Sequence, residues 1–243
     1  MKDDLLGAVS FLTIFGGGRS PGKSSKYWFS CAGIVIGLLS GLAWQLLGHT
    51  SSRLLGAALV VLVVVVITGA IHLDGLADAA DGLLAHLERE RRFGVMSSPE
   101  VGTFGIVAVV AALGLMTLAF SVLEPNVVML IGIFSLSREL AALIMEVMPY
   151  AKSEGIVSVF NQSSGGQVKA KLILGAEMIV SCALIVLSFG SEGLVMVVVM
   201  FVVQGVIALR AKVLIGGYTG DVLGASIVAT EILALVTGAL MQR

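Results

Sequence analysis

The chain has 243 residues, 57% of them hydrophobic and only 13% charged, and its mean hydropathy is +1.03. Soluble domains carry about 25% charge, so the composition excludes an ordinary soluble fold, and a net charge of −1 leaves no overall field to recruit nucleic acid. Cys31 and Cys182 both fall in apolar runs and read as packing residues, not as a disulfide or a thiolate metal site.

In chain order, residues 4–15 form an apolar stretch too short to cross a bilayer, ended by Gly16-Gly17-Gly18. It reads as an interfacial helix, without the basic leader and cleavage site of a signal peptide. A span needs ~20 mostly apolar residues. Seven windows meet that: about 27–48, 54–72, 104–123, 126–148, 172–190, 193–209 and 221–240. The expected fold is therefore an all-α integral membrane bundle of about seven spans. A short N-terminal interfacial helix and an acidic helix outside the bilayer complete it, and residues 1–243 make one polytopic domain. With the spans alternating, twelve Lys and Arg side chains collect on one side and two on the other. The excess marks the cytoplasmic side, which places the N-terminus inside and the C-terminus outside. The longer polar loops, 73–103, 149–171 and 210–221, then all face the cytoplasm, and a multi-pass cell (inner) membrane location with a cytoplasmic active face follows.

The stretch from His72 to Leu84 carries the most information. On a helix at ~100° per residue, Asp74, Asp78 and Asp81 fall within one narrow stripe. Leu73, Leu76, Leu83 and Leu84 take the opposite face. Gly75 and Gly82 fall together beside the carboxylates, as a groove without side chains where a phosphate could approach the backbone. Three like charges at this spacing repel. Hard oxygens with no His or Cys on the stripe point to Mg²⁺ or Mn²⁺. The plain alternative, a solvated acidic face, suits an interfacial helix poorly, because such helices are usually basic. His72 and His86 lie off the stripe and read as hydrogen-bonding or interfacial residues.

Thr103 is placed to cap the helix of span three. Lys152-Ser153-Glu154-Gly155 follows Pro149, and the Gly/Ser-rich run 161–166 reads as a connector, with a substrate lid as the other use. Before the last span, Gly216-Gly217-Tyr218-Thr219-Gly220-Asp221 makes a turn with exposed N–H groups. Asp221 can cap the next helix, hold a metal, or both. Arg210 is a phosphate-binding candidate, and Lys212 a topological charge. Arg138 and Glu139 sit inside span four, where an unpaired charge is costly. Arg138 lies about ten residues, or ~15 Å, from the cytoplasmic end of its span. Glu231 lies equally deep in span seven, whereas Glu177 is shallower. Arg138 and Glu231 are therefore expected to meet between the two spans; a reach toward a substrate phosphate is the alternative for Arg138.

These residues carry a resemblance. His72-Leu-Asp-Gly-Leu-Ala-Asp-Ala-Ala-Asp-Gly82 resembles the His-x-Asp-Gly-x-x-Asp-x-x-Asp-Gly signature of the adenosylcobinamide-GDP ribazoletransferase (cobalamin-5'-phosphate synthase) family. Met96–Gly105, Ser137-Arg138, Glu154-Gly155 and Gly216-Gly-Tyr-Thr-Gly-Asp-Val-Leu-Gly224 are similar to later motifs and fall in the same order. The likeness covers nearly the whole chain. It implies that α-ribazole, or its 5'-phosphate, attacks adenosylcobinamide-GDP. GMP leaves, a phosphodiester forms, and Mg²⁺ assists. On this reading Asp74, Asp78, Asp81 and Asp221 are catalytic, with the first three holding the metal. Gly75, Gly82, Arg138, Lys152, Arg210, Gly217 and Thr219 meet substrate, and a homo-oligomer is left open. The chain departs from the pattern with Ser98 in place of an Asp, Lys152 in place of an Arg, and no Arg-x-Pro after Phe15. Other metal-dependent transferases of the bilayer fit less well. A CDP-alcohol phosphatidyltransferase needs Asp-Gly-x-x-Ala-Arg, but Asp78 follows Ala77 here, and a prenyltransferase repeats its Asp-rich motif. A cation transporter would carry its carboxylates at mid-membrane.

Overall fold

The computed structural model of the chain describes residues 2–152, 155–161 and 167–242. Among them the chain is helical, and strand pairing is limited to one parallel bridge between Tyr150 and Tyr218. The helices are α1 (Lys2–Leu12), α2 (Phe29–Leu47), α3 (Arg53–Thr68), α4 (Ile71–Leu84), α5 (Arg89–Val95), α6 (Thr103–Val122), α7 (Val127–Val147), α8 (Gln167–Ile215) and α9 (Gly220–Met241). Five of them (α2, α6, α7, α8 and α9) are long and apolar enough to cross a membrane. A sixth span is reached if α3 and α4, bent by 90°, are counted as one.

Two local features break the helical runs, the first inside the expected span 54–72 and the second at the expected boundary after residue 190. Gly69 and Ala70 both take left-handed backbone, with φ of 59° at each. Gly69 does so freely, and Ala70 at some cost. Together they turn α4 at right angles to α3 and carry the acidic segment across the end of the bundle. In α8, Gly190 is the one non-helical residue (φ 61°, ψ −134°). A Cβ on Gly193 would meet the carbonyl of Ile185 at 2.5 Å, so the chain doubles back there and α8 has two arms.

The centre of the bundle is α7 with α9. Over their most apolar 18-residue windows these are 78% and 72% buried, against 28% for α6 and α8. The outward surfaces are apolar as well: Leu46, Leu187 and Leu240 are about four-fifths exposed, as expected of a lipid-facing rim. Glycine sets the closest contact in the bundle. Gly33, Gly37 and Gly41 form one stripe of α2, and any Cβ there would press on the α7 backbone, at 2.6 Å from Ile131 Cα for Gly37. Where neither lipid nor protein is more apolar, such close backbone approach is what drives helices together.

The buried charges find partners inside the bundle. Arg138 is fully buried and pairs with Glu231, as the depth argument requires. Ser137 Oγ donates to Glu231 at 2.9 Å, and the Phe134 ring lies 5.2 Å from the guanidinium carbon. Glu139 points elsewhere and accepts from Ser181 Oγ at 2.8 Å; Glu177 accepts from Ser30 Oγ at 3.1 Å. At the end of α7 nearest the acidic helix, Glu146 gathers Lys26 at 2.6 Å, Tyr27 at 2.7 Å and Lys171 at 3.0 Å.

Candidate active site

The acidic helix α4 lies across α9 at a glycine–glycine contact. A Cβ on Gly75 would sit 3.1 Å from the Asp221 carbonyl and 3.3 Å from Gly224 Cα. The contact brings the start of α4 against the first turn of α9, and so sets Asp74 beside Asp221. Both carboxylates line a cavity of about 380 Å³, shared with Gly75, His72, Ser97, Tyr150 and Lys152. Its remaining wall is apolar and comes from α1, α2, α7 and α9: Phe11, Phe29, Ala141, Met145, Leu223 and Ile227. Lys152 Nζ stands 3.2 Å from Asp221 Oδ2 and 3.4 Å from Ser97 Oγ, a cation at the cavity's polar side.

The loop before α9 is fixed by its neighbour. Tyr218 donates its N–H to Pro149 O at 3.0 Å, and Ala151 donates to Tyr218 O at 2.9 Å. Gly217 is needed for that approach, since a Cβ there would collide with Pro149 O. Thr219, not Asp221, caps α9: its Oγ1 accepts from Val222 N–H at 3.2 Å. The Asp221 side chain is thereby left to face Lys152 and the cavity. Gly217 and Thr219, expected to meet substrate, hold the loop that presents Asp221.

The three carboxylates of the stripe are not equivalent. Asp74 is exposed, Asp78 is half-buried and Asp81 is buried. Asp81 accepts N–H bonds from Gly102 at 2.7 Å and Gly105 at 3.0 Å. It anchors the N-terminus of α6, the role expected of Thr103; Gly102 is the N-cap and supplies no side chain. Burial first, then the carboxylates of Asp221 and Asp74, push Asp78 up to about 6, with Lys152 opposing. Beside Gly82 the expected groove is filled by Met96. Gly82 O and Ala85 O accept from Arg92 Nη1 at 2.7 and 3.0 Å, and Leu83 O accepts from Arg210 Nη2 at 3.1 Å. Two guanidiniums therefore close the C-terminal end of α4, where the helix dipole favours positive charge. Arg210 is spent on α4 and Arg138 on Glu231, so neither lines the cavity. Glu154 and residues 162–166 lie outside the described residues.

Among the described residues no three His, Cys, Asp or Glu side chains are placed to share one ion. The chemistry of those present still fits a hard cation. Asp74 and Asp221 add like charge to the burial that raises Asp78, and Mg²⁺ commonly takes only one or two carboxylates and completes its shell with water and phosphate oxygens. Sequence reasoning missed Ser97, Tyr150 and the apolar wall. Ser97 lay within a motif already singled out, but the wall residues sit in uniformly apolar runs that give no sign of which side chains border a cavity.

Residues 4–239 match the model of the family described as cobalamin-5-phosphate synthase. Over 212 residues the chain is 34% identical to an adenosylcobinamide-GDP ribazoletransferase of Escherichia coli O45:K1, covering 86% of this chain and 84% of that one. It is 33% identical to the protein of the same name from Shigella flexneri, with the same coverage. No solved structure matches the chain.

Proposed function

This chain belongs to the cobalamin-5-phosphate synthase family, and from that premise we propose that it is an adenosylcobinamide-GDP ribazoletransferase working at the cytoplasmic face of the cell membrane. A free ribose hydroxyl of α-ribazole, or of its 5'-phosphate with that phosphate left in place, attacks the phosphorus that bears the cobinamide. The new O–P bond replaces the bond to the GMP phosphate, GMP leaves, and an attacking hydroxyl gives up its proton. The observation that carries this reading is the cavity where Asp74 of α4 and Asp221 of α9 face Lys152. Phosphoryl transfer asks a protein mainly for positioning and charge neutralisation, and this cavity brings acidic and basic groups together beside an apolar wall.

Asp74 and Asp221, the two carboxylates that line the cavity, would hold Mg²⁺, with Asp81 acting through α6. When bound, the cation offsets the diphosphate's negative charge as it redistributes toward the leaving GMP. Lys152 sits where it can hold a phosphate oxygen, as a point charge and without the fork of an Arg. The right-angle bend at Gly69-Ala70 keeps these carboxylates at the membrane surface, where a charged substrate reaches them.

Counting the two arms of α8 separately and α3 as a span of its own gives seven crossings. This agrees with the Lys and Arg bias, which sets α4, α5 and the loop before α9 inside the cell. The test is purified protein in liposomes, given adenosylcobinamide-GDP, α-ribazole and Mg²⁺. GMP and the joined corrinoid should appear in equal amounts. Cation flux across the liposome without GMP release would instead make this a transporter.

A further inference from the structure

The cavity has room for one of the two substrates and not the other. At about 380 Å³ it stands at the small end of ligand sites, which run ~300–1,000 Å³. A corrin macrocycle with its side chains and adenosyl group is far larger than that. The corrinoid therefore stays outside, and the choice for the interior lies between the guanosine end of the diphosphate and the ribazole.

The lining decides between them. The exposed end carries Asp74, Asp221 and Lys152. The buried end is made by Phe29, Ala141, Met145, Leu223 and Ile227, each no more than 6% exposed. Guanine presents an amide, an exocyclic amine and a carbonyl, and burying these against apolar side chains leaves them unpaired at a cost. A benzimidazole riboside presents a flat apolar ring with one free ring nitrogen, an acceptor. His72 also lines the cavity and is 5% exposed, and its Nε2 has no hydrogen-bond partner among the described residues. One unpartnered polar atom beside an apolar wall matches a base with one polar atom.

We propose that the cavity is the nucleoside subsite: the base of α-ribazole lies against Ala141, Met145 and Ile227, His72 meets its ring nitrogen, and the reacting ribose hydroxyl points out to Asp74 and Asp221. The diphosphate of the corrinoid substrate then reaches the same carboxylates from outside. The size of the lower base is set by α7, through the side chains at 141 and 145. This rests on the ribazoletransferase reading and adds which substrate is enclosed.

Two variants test it in opposite senses, with KM measured for each substrate separately. Ala141→Leu fills the wall and should raise KM for α-ribazole about tenfold or more, as overpacking does, while KM for adenosylcobinamide-GDP stays within about twofold. Met145→Ala enlarges the wall and should shift preference toward a riboside with a bulkier fused-ring base. If Ala141→Leu fails to accumulate in membranes, Met145→Ala decides by itself. A change in KM for the corrinoid substrate instead, or an unchanged base preference in Met145→Ala, overturns the assignment. Absence of GMP release from the unmodified protein is a separate result, and would sink the ribazoletransferase reading itself.

Discussion

Asp81 and Asp74 stand two helical turns apart on one stripe, yet they face different tasks. Both oxygens of Asp81 are occupied by the N–H groups of Gly102 and Gly105. Hydrogen bonds to a charged group contribute ~1.5–3 kcal/mol each. Asp81→Ala should therefore lower the thermal unfolding midpoint of detergent-extracted protein clearly, whereas Asp74→Ala should leave it nearly unchanged and abolish GMP release. Equal unfolding midpoints for the two variants would contradict this division. Arg138 and Glu231 make the second residue-scale case. Leaving one of them alone costs ~3–5 kcal/mol, while removing both for apolar residues costs much less. Arg138→Leu combined with Glu231→Leu should accordingly be more stable than the sum of the single changes implies, and strict additivity would contradict the pairing. That pair was legible in the sequence because depth in a span is countable at ~1.5 Å per residue. The duty of Asp81 was not, because the N–H groups it accepts come from a different segment, more than twenty residues on.

Elements were legible where the sequence punctuates them and obscure where it does not. The break at Gly190 falls at the expected edge of two spans. The Gly33–Gly37–Gly41 stripe was also there to be read, since small residues four apart mark a face for close packing. The use of Gly75 was hidden, because it depends on Gly224 some 150 residues later meeting it. Arg92 looked like a topological charge and Arg210 like a phosphate ligand, yet both bind carbonyls at the end of α4. Arg92→Ala should loosen that end, with faster amide hydrogen exchange across residues 80–85. Protection unchanged from the parent protein would remove Arg92 from this role. Gly37→Val should be more damaging. With Ile131 Cα at 2.6 Å from its first side-chain carbon, α2 must move off α7, and little folded protein should survive extraction. Full recovery of a folded protein would contradict the contact.

At the scale of the molecule, the account needs α4 and α5 inside the cell. In a background with Cys31→Ser and Cys182→Ser, a cysteine at His86 or Glu100 should resist an impermeant reagent in intact cells and react once the cells are opened. A cysteine at Ser191, beside the bend in α8, should react in intact cells. The reverse pattern would invert the topology and place the carboxylates on the wrong side for a cytoplasmic substrate. Composition made the all-helical, multi-span architecture readable, because it is a sum over the whole chain. The enclosed space was not, because its wall is assembled from α1, α2, α7 and α9, and no single segment shows it.

The most direct measurement is a single turnover. Purified Asp221→Asn protein in liposomes, confirmed folded by an unfolding midpoint near that of the parent, is mixed with adenosylcobinamide-GDP, α-ribazole and Mg²⁺. Asp221 makes no helix cap, so the substitution should leave the fold intact and remove one carboxylate from the cavity. The account predicts that GMP release falls by about 10³-fold, a loss on the scale of removing a group that stabilises developing charge. GMP release at close to the parent rate from a folded Asp221→Asn protein would contradict it, and would move the chemistry away from the cavity between α4 and α9.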